Sequence, residues 1–130
     1  MVSLLKVSSE ANCSSLIQLF VDGRVSCVLV RDETGELIGS VSKQDVMNEL
    51  AKHATNYLEI LTIEVKDICR PANFALPSST VFEVIGLLLA SEQQCIFVVD
   101  IVSGQPVAAI AFIDIMEYLL SSSDNKNFFT

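Results

Sequence analysis

The chain of 130 residues lacks tryptophan and has a single histidine, His53. Its four cysteines, Cys13, Cys27, Cys69 and Cys95, form no CxxC pair, and no glycine-rich loop is present. Structural zinc sites need cysteine and histidine in close pairs, so no metal site is expected. Because no nucleophile and base stand in a recognisable arrangement, we do not expect an enzyme.

Basic residues are also scarce, since 8 lysines and arginines stand against 16 acidic residues and give a net charge of −8. Sequence-independent nucleic-acid binding requires a basic surface, so nucleic acid is not an expected partner. An anionic membrane surface would repel the chain for the same reason.

Long apolar runs are missing as well. The longest, residues 84–90 and 106–113, fall far short of the roughly 18 residues that a membrane span needs. Lys6 and Glu10 interrupt the apolar centre that a signal peptide would require. These features predict a cytoplasmic protein that does not contact a membrane.

What the chain has in excess is apolar residues, at 51%, against only 18% charged residues. Globular chains carry about 25% charged residues on average, so part of this surface is expected to be covered by a partner. We therefore expect a homodimer.

The second half of the sequence repeats the first. Residues 27–32 (CVLVRD) and 95–100 (CIFVVD) each predict a buried strand that ends in aspartate and enters a turn with glycine. A second strand follows at residues 36–42 and 105–111, which gives two hairpins.

Helices flank each hairpin. Residues 13–21 and 81–90 predict a helix before it, with Asn12 and Thr80 as N-caps, and Asp-Val-Met or Asp-Ile-Met opens a helix after it. Short extended pieces, residues 4–7 and 74–76, precede each half. The sequence thus predicts an α/β fold (α+β-like) of two β-α-β-β-α repeats that pack about a pseudo-two-fold axis. We assign repeat 1 to residues 1–53, a linker and lead-in to 54–72, repeat 2 to 73–122 and a flexible tail to 123–130.

This pattern resembles a tandem pair of CBS domains, known as a Bateman module. The resemblance rests on the order of the elements, on residues 65–69 (VKDIC) as a lead-in, and on residues 75–81 (ALPSSTV) as a strand-to-helix entry. It rests also on residues 39–45 (GSVSKQD), which match the family signature Gly-h-x-Ser/Thr-x-x-Asp, where h is usually apolar. The resemblance implies a regulatory module that binds AMP, ADP, ATP or S-adenosylmethionine in a cleft between the repeats. It also implies a disc-shaped dimer and an effector protein or fused domain as partner.

The chemistry of such a site can be assigned to residues of the first repeat. Asp45 can accept both hydroxyls of a ribose diol, and Ser42 and Lys43 can hold a phosphate at the positive helix end. Gly39 lets the backbone approach another element or a ligand, and Val41 is a candidate wall for the base. Ser42 and Asp45 also fit a purely structural helix cap, and the two interpretations stand side by side.

The second repeat keeps the acid as Asp114 but has alanine at positions 108 and 111, where the signature has glycine and serine or threonine. We include Asp114 among the nucleotide-binding candidates but expect the first site to bind ahead of it. The net charge favours a ligand of low charge. The alternative is a ligand-free CBS pair that serves as a dimerisation or docking module.

Overall fold

The structure, a computed structural model, describes residues 4–23, 25–53, 55–91, 93 and 95–121. The predicted tail at residues 123–130 lies outside the described residues. The chain divides into two compact units. We call them the N-terminal unit, Leu5–Ala72, and the C-terminal unit, which holds the described residues from Asn73 onward together with Leu4.

Both units follow the predicted order of strand, helix, strand, strand and helix. The elements of the N-terminal unit are β1 (Lys6–Ser8), α1 (Cys13–Gly23), β2 (Cys27–Arg31), β3 (Leu37–Ser42) and α2 (Lys43–Lys52). Those of the C-terminal unit are β4 (Phe74–Ala75), α3 (Val81–Ala90), β5 (Cys95–Val99), β6 (Pro106–Ala111) and α4 (Phe112–Ser121).

Each unit contains one three-stranded mixed sheet. In the first, β2 lies in the middle, parallel to β1 and antiparallel to β3; in the second, β5 takes the same place between β4 and β6. The registers correspond, because Val28 pairs with Val41 as Ile96 pairs with Ile110. Both hairpins also shift register after their fourth paired residue, Val30 and Val98. The predicted internal repeat and mixed α/β architecture are confirmed.

The hairpin turns are fixed by the aspartates that end the middle strands. Asp32 accepts hydrogen bonds from the hydroxyl of Thr34 at 2.6 Å and from its backbone N–H at 2.9 Å. These bonds, the hydroxyl first, lower the pKa of Asp32. Gly35 and Gly104 then adopt φ values of 83° and 69°, which glycine tolerates without steric penalty.

The core of the N-terminal unit lies between its sheet and its helices. The segment after α2 contributes to it through two 3-10 helices, Tyr57–Thr62 and Val65–Asp67. The buried members of this core are Val7, Cys13, Leu16, Phe20, Val25, Val28, Val30, Val41, Val46, Ile60, Val65 and Ile68. Residues that the sequence analysis assigns to a linker therefore pack as part of this unit.

The C-terminal unit has a smaller core. Its helix α3 is capped by Thr80, whose hydroxyl accepts the backbone N–H of Glu83 at 3.2 Å, so the predicted cap is present. The buried residues of this core are Ala75, Val84, Leu88, Ile96, Val98, Ile110 and Ile115.

In the described part of the chain, no helix has the length and apolar character needed to cross a membrane.

Candidate functional site

Helix α2 begins in a complete capping box. The Ser42 hydroxyl accepts the backbone N–H of Asp45 at 3.2 Å, and the backbone N–H of Ser42 donates to Asp45 Oδ2 at 2.8 Å. The Ser42 hydroxyl also lies 3.0 Å from the same carboxylate oxygen. The prediction that this Ser-x-x-Asp sequence caps a helix is therefore confirmed, and Oδ2 of Asp45 takes part in the cap.

The second oxygen of Asp45 has a different partner. Nε of Arg70 donates to Oδ1 at 2.7 Å and forms an ion pair across 25 residues of sequence. The Asp45 side chain is only 5% exposed, whereas the Arg70 side chain is 42% exposed. No local pattern in the sequence around Arg70 signals this contact, because its partner lies 25 residues away.

The backbone of Arg70 is held in place by β3. Ser40 and Arg70 exchange two backbone hydrogen bonds of 2.8 Å in an antiparallel bridge. Gly39 makes this possible, because a Cβ on it would collide with the Arg70 carbonyl. The close approach that the sequence analysis assigns to Gly39 is made here by the protein's own chain.

A polar cleft of about 200 Å³ opens beside this ion pair. It is lined by Asp45, Asn48, Glu49, Lys52, Asp67, Ile68, Cys69 and Arg70. The lining thus includes three carboxylates and two cations. Partial burial raises the pKa of the Cys69 thiol, and the nearby charges of Asp45 and Asp67 act in the same direction. Among the described residues, no group of histidine, cysteine and carboxylate side chains is placed to hold a metal ion.

The structure places the remaining candidates of the first repeat away from this cleft's lining. Val41 is fully buried in the core of the N-terminal unit, so packing is the role that it has in the structure. Lys43 is exposed and lines a separate apolar groove of about 400 Å³, together with Ile17, Phe20, Val21, Val46 and Met47.

In the second repeat, Asp114 occupies the position equivalent to Asp45. Its Oδ2 accepts the backbone N–H of Ala111 at 2.8 Å, the same distance as in the first repeat. Ala111 has no hydroxyl to complete a capping box. Ala108, which pairs with Val98, stands where the first repeat has Gly39. The equivalence of the two aspartates at helix starts is confirmed.

Comparison with known proteins agrees with this architecture. Residues 2–52 match the family model of the CBS domain. Among curated proteins, none matches the sequence. The family match covers the first repeat, and the chain as a whole shares the fold of CBS-domain and CBS-pair proteins.

Three solved structures illustrate the shared fold. A CBS-domain containing protein from Agrobacterium tumefaciens is 14% identical, with a TM-score of 0.78 over 89% of this chain and 84% of that one. An uncharacterized conserved protein from Pyrococcus horikoshii is 17% identical, with a TM-score of 0.79 over 97% and 92%. A CBS-pair protein from Arabidopsis thaliana is 22% identical, with a TM-score of 0.73 over 93% and 91%.

Proposed function

We propose that this CBS pair is a regulatory module that binds an adenosyl ligand, with the ribose accepted by Asp45. The proposal rests on the observation that the two oxygens of this buried carboxylate have different partners. Oδ2 caps α2, whereas Oδ1 is bound by a half-exposed side chain beside an open cleft. Helix capping and ligand binding can therefore be served by the same residue.

The helix end supplies further favourable groups. The positive end of the α2 dipole and its first backbone N–H groups favour an anion. Lys43 is exposed in the first turn and adds a positive charge near this end. Ser42 is committed to the cap, so in this proposal its hydroxyl orients Asp45.

The negative charge of the protein favours some of the candidate ligands AMP, ADP, ATP and S-adenosylmethionine over others. The chain carries a net charge of −8, and three carboxylates, Asp45 among them, line the cleft together with two cations. Repulsion grows with each phosphate, so a ligand of low charge, such as AMP or S-adenosylmethionine, is favoured over ATP.

Calorimetric titration of matched variants tests the proposal. Asp45→Ala removes charge-assisted hydrogen bonds of about 1.5–3 kcal/mol and is expected to weaken binding roughly ten- to a hundred-fold. Asp114→Ala is the matched control, because it removes the equivalent carboxylate from the second repeat. Both variants are compared at a temperature where each is folded. Loss of binding in Asp114→Ala with normal binding in Asp45→Ala would reverse the assignment.

A second candidate function is a ligand-free dimerisation or docking module. It is favoured by large apolar side chains exposed on α3 and α4, among them Phe82, Leu89 and Leu120 at 85%, 73% and 90% exposure. Apolar surface of this kind marks protein contacts. Light scattering is expected to show a homodimer, and Phe82→Asp to shift it toward the monomer. A single 14.2 kDa species across the micromolar range would contradict the dimer. In a separate titration, failure of every nucleotide to bind at millimolar concentration would favour the ligand-free docking module over the ligand-binding module.

A further inference from the structure

We propose that the ion pair between Arg70 and Asp45, which we call the latch, is closed in the free protein. A bound nucleotide opens the latch by giving both side chains new partners. The ribose diol takes the place of the guanidinium on Asp45, and the released guanidinium binds the phosphate of the ligand. The latch makes the site select nucleotides over nucleosides. This inference rests on the proposed function, in which Asp45 is the ribose acceptor.

The first step is the acceptor capacity of the carboxylate. An ionised carboxylate offers about four acceptor positions on its two oxygens. Asp45 already accepts from the backbone N–H and hydroxyl of Ser42 and from Arg70 Nε. A ribose diol brings two more donors, so it cannot bind in full while Arg70 remains on Oδ1.

The second step concerns which of these partners can leave. The contacts between Ser42 and Asp45 form the cap of α2, and Ser42 and Asp45 are both buried. The Arg70 side chain is 42% exposed, so solvent screens its charge and receives it when it rotates. Its backbone stays fixed by the two hydrogen bonds to Ser40, so only the side chain has to move.

The third step is the replacement of partners. A buried carboxylate that loses its cation is destabilised unless other donors replace it, and the diol hydroxyls are such donors. The planar guanidinium fork matches the geometry of a phosphate. A nucleotide therefore offers its ribose diol to Asp45 and its phosphate to Arg70. A nucleoside has no phosphate, so it offers a new partner to Asp45 only.

Titration calorimetry with adenosine and AMP measures this exchange. We expect the wild-type protein to bind AMP at least about tenfold more tightly than adenosine. A latch that is closed in about nine-tenths of the molecules lowers the apparent affinity tenfold, so Arg70→Met is expected to bind adenosine up to about tenfold more tightly than wild type. In the same variant, the ratio of AMP to adenosine affinity is expected to fall toward one.

Two further variants separate the latch from general effects of charge and folding. Lys52→Met removes another cation that lines the same cleft but pairs with Glu49, and it is expected to keep the wild-type ratio. Arg70→Lys keeps the charge without the planar fork and is expected to give an intermediate ratio.

The outcomes distinguish the two proposals. If wild type binds both ligands and Arg70→Met leaves their affinity ratio unchanged, or weakens both equally, the latch is refuted and the proposed function stands. If neither ligand binds the wild type or any Arg70 variant, the proposed function itself is refuted, and the latch with it.

Discussion

Gly39→Ala probes the contact that places Arg70 over the candidate site. The added Cβ would collide with the Arg70 carbonyl, a backbone atom that cannot rotate aside as the end of a side chain can. The chain segment that carries Arg70 must therefore retreat from β3. Its two hydrogen bonds of 2.8 Å with Ser40 are then lengthened or lost.

The magnitude follows from these two bonds. Each contributes about 0.5–1.5 kcal/mol to the folded state. Alanine also restricts the unfolded chain, which offsets the loss by about 0.4–1 kcal/mol. Taking the middle of both ranges, we expect Gly39→Ala to lower the free energy of unfolding by about 1 kcal/mol.

Gly86→Ala is the matched control for this prediction. Gly86 is exposed within α3, and a Cβ there would meet no atom within 4 Å. Alanine in a helix interior is favoured over glycine, so this variant is expected to gain about 0.5–1 kcal/mol. Urea denaturation followed by circular dichroism measures both. A Gly39→Ala protein as stable as wild type would refute the steric constraint, whereas opposite signs in the two variants would support it.

Three further predictions concern the caps and the titratable groups. Thr80→Ala removes the hydroxyl that caps α3 and is expected to destabilise the protein by about 1 kcal/mol in the same urea assay. Because the folded pKa of Asp32 lies below its ordinary value of 3.8, its carboxylate stabilises the fold fully above that value, and the stabilisation is lost as the pH falls through the folded pKa. Thermal unfolding of Asp32→Asn is therefore expected to depend less on pH below 3.8 than that of wild type. Since burial raises the pKa of the Cys69 thiol above 9.0, its alkylation by iodoacetamide, followed by mass spectrometry, is expected to be slower at neutral pH than that of an exposed peptide cysteine.

The fold could be predicted from the sequence because its signals are local and occur twice. The middle strand of each repeat is a short β-branched run followed by an aspartate, and Asn12, Ser42 and Thr80 cap the starts of α1, α2 and α3. The predicted strand at residues 27–32 is observed as Cys27–Arg31, because the side chain of Asp32 binds the turn. The helix predicted at residues 13–21 extends to Gly23.

The surroundings of Asp45 could not be predicted in the same way. The cap with Ser42 spans three residues and shows in the sequence, but the ion pair with Arg70 spans 25. Periodicity and spacing report on neighbours along one helix or strand, and they contain no information on a segment that returns to β3. The packing of residues such as Ile60 and Val65 after α2 was missed for the same reason.

The returning segment also explains how the two copies of the signature differ. Glycine is needed at position 39 because the Arg70 backbone crosses β3 beside it. Within the described residues of the C-terminal unit, no isolated bridge of this kind reaches β6, and Ala108 has a Cβ at the equivalent position. Without such a crossing, nothing described there requires glycine, and the unit retains the contact between Asp114 and the backbone at the start of α4. The carboxylate thus accepts the backbone N–H before the helix in both repeats. Only in the first repeat does the glycine admit the Arg70 backbone beside β3, which places the Arg70 side chain on Oδ1 of Asp45.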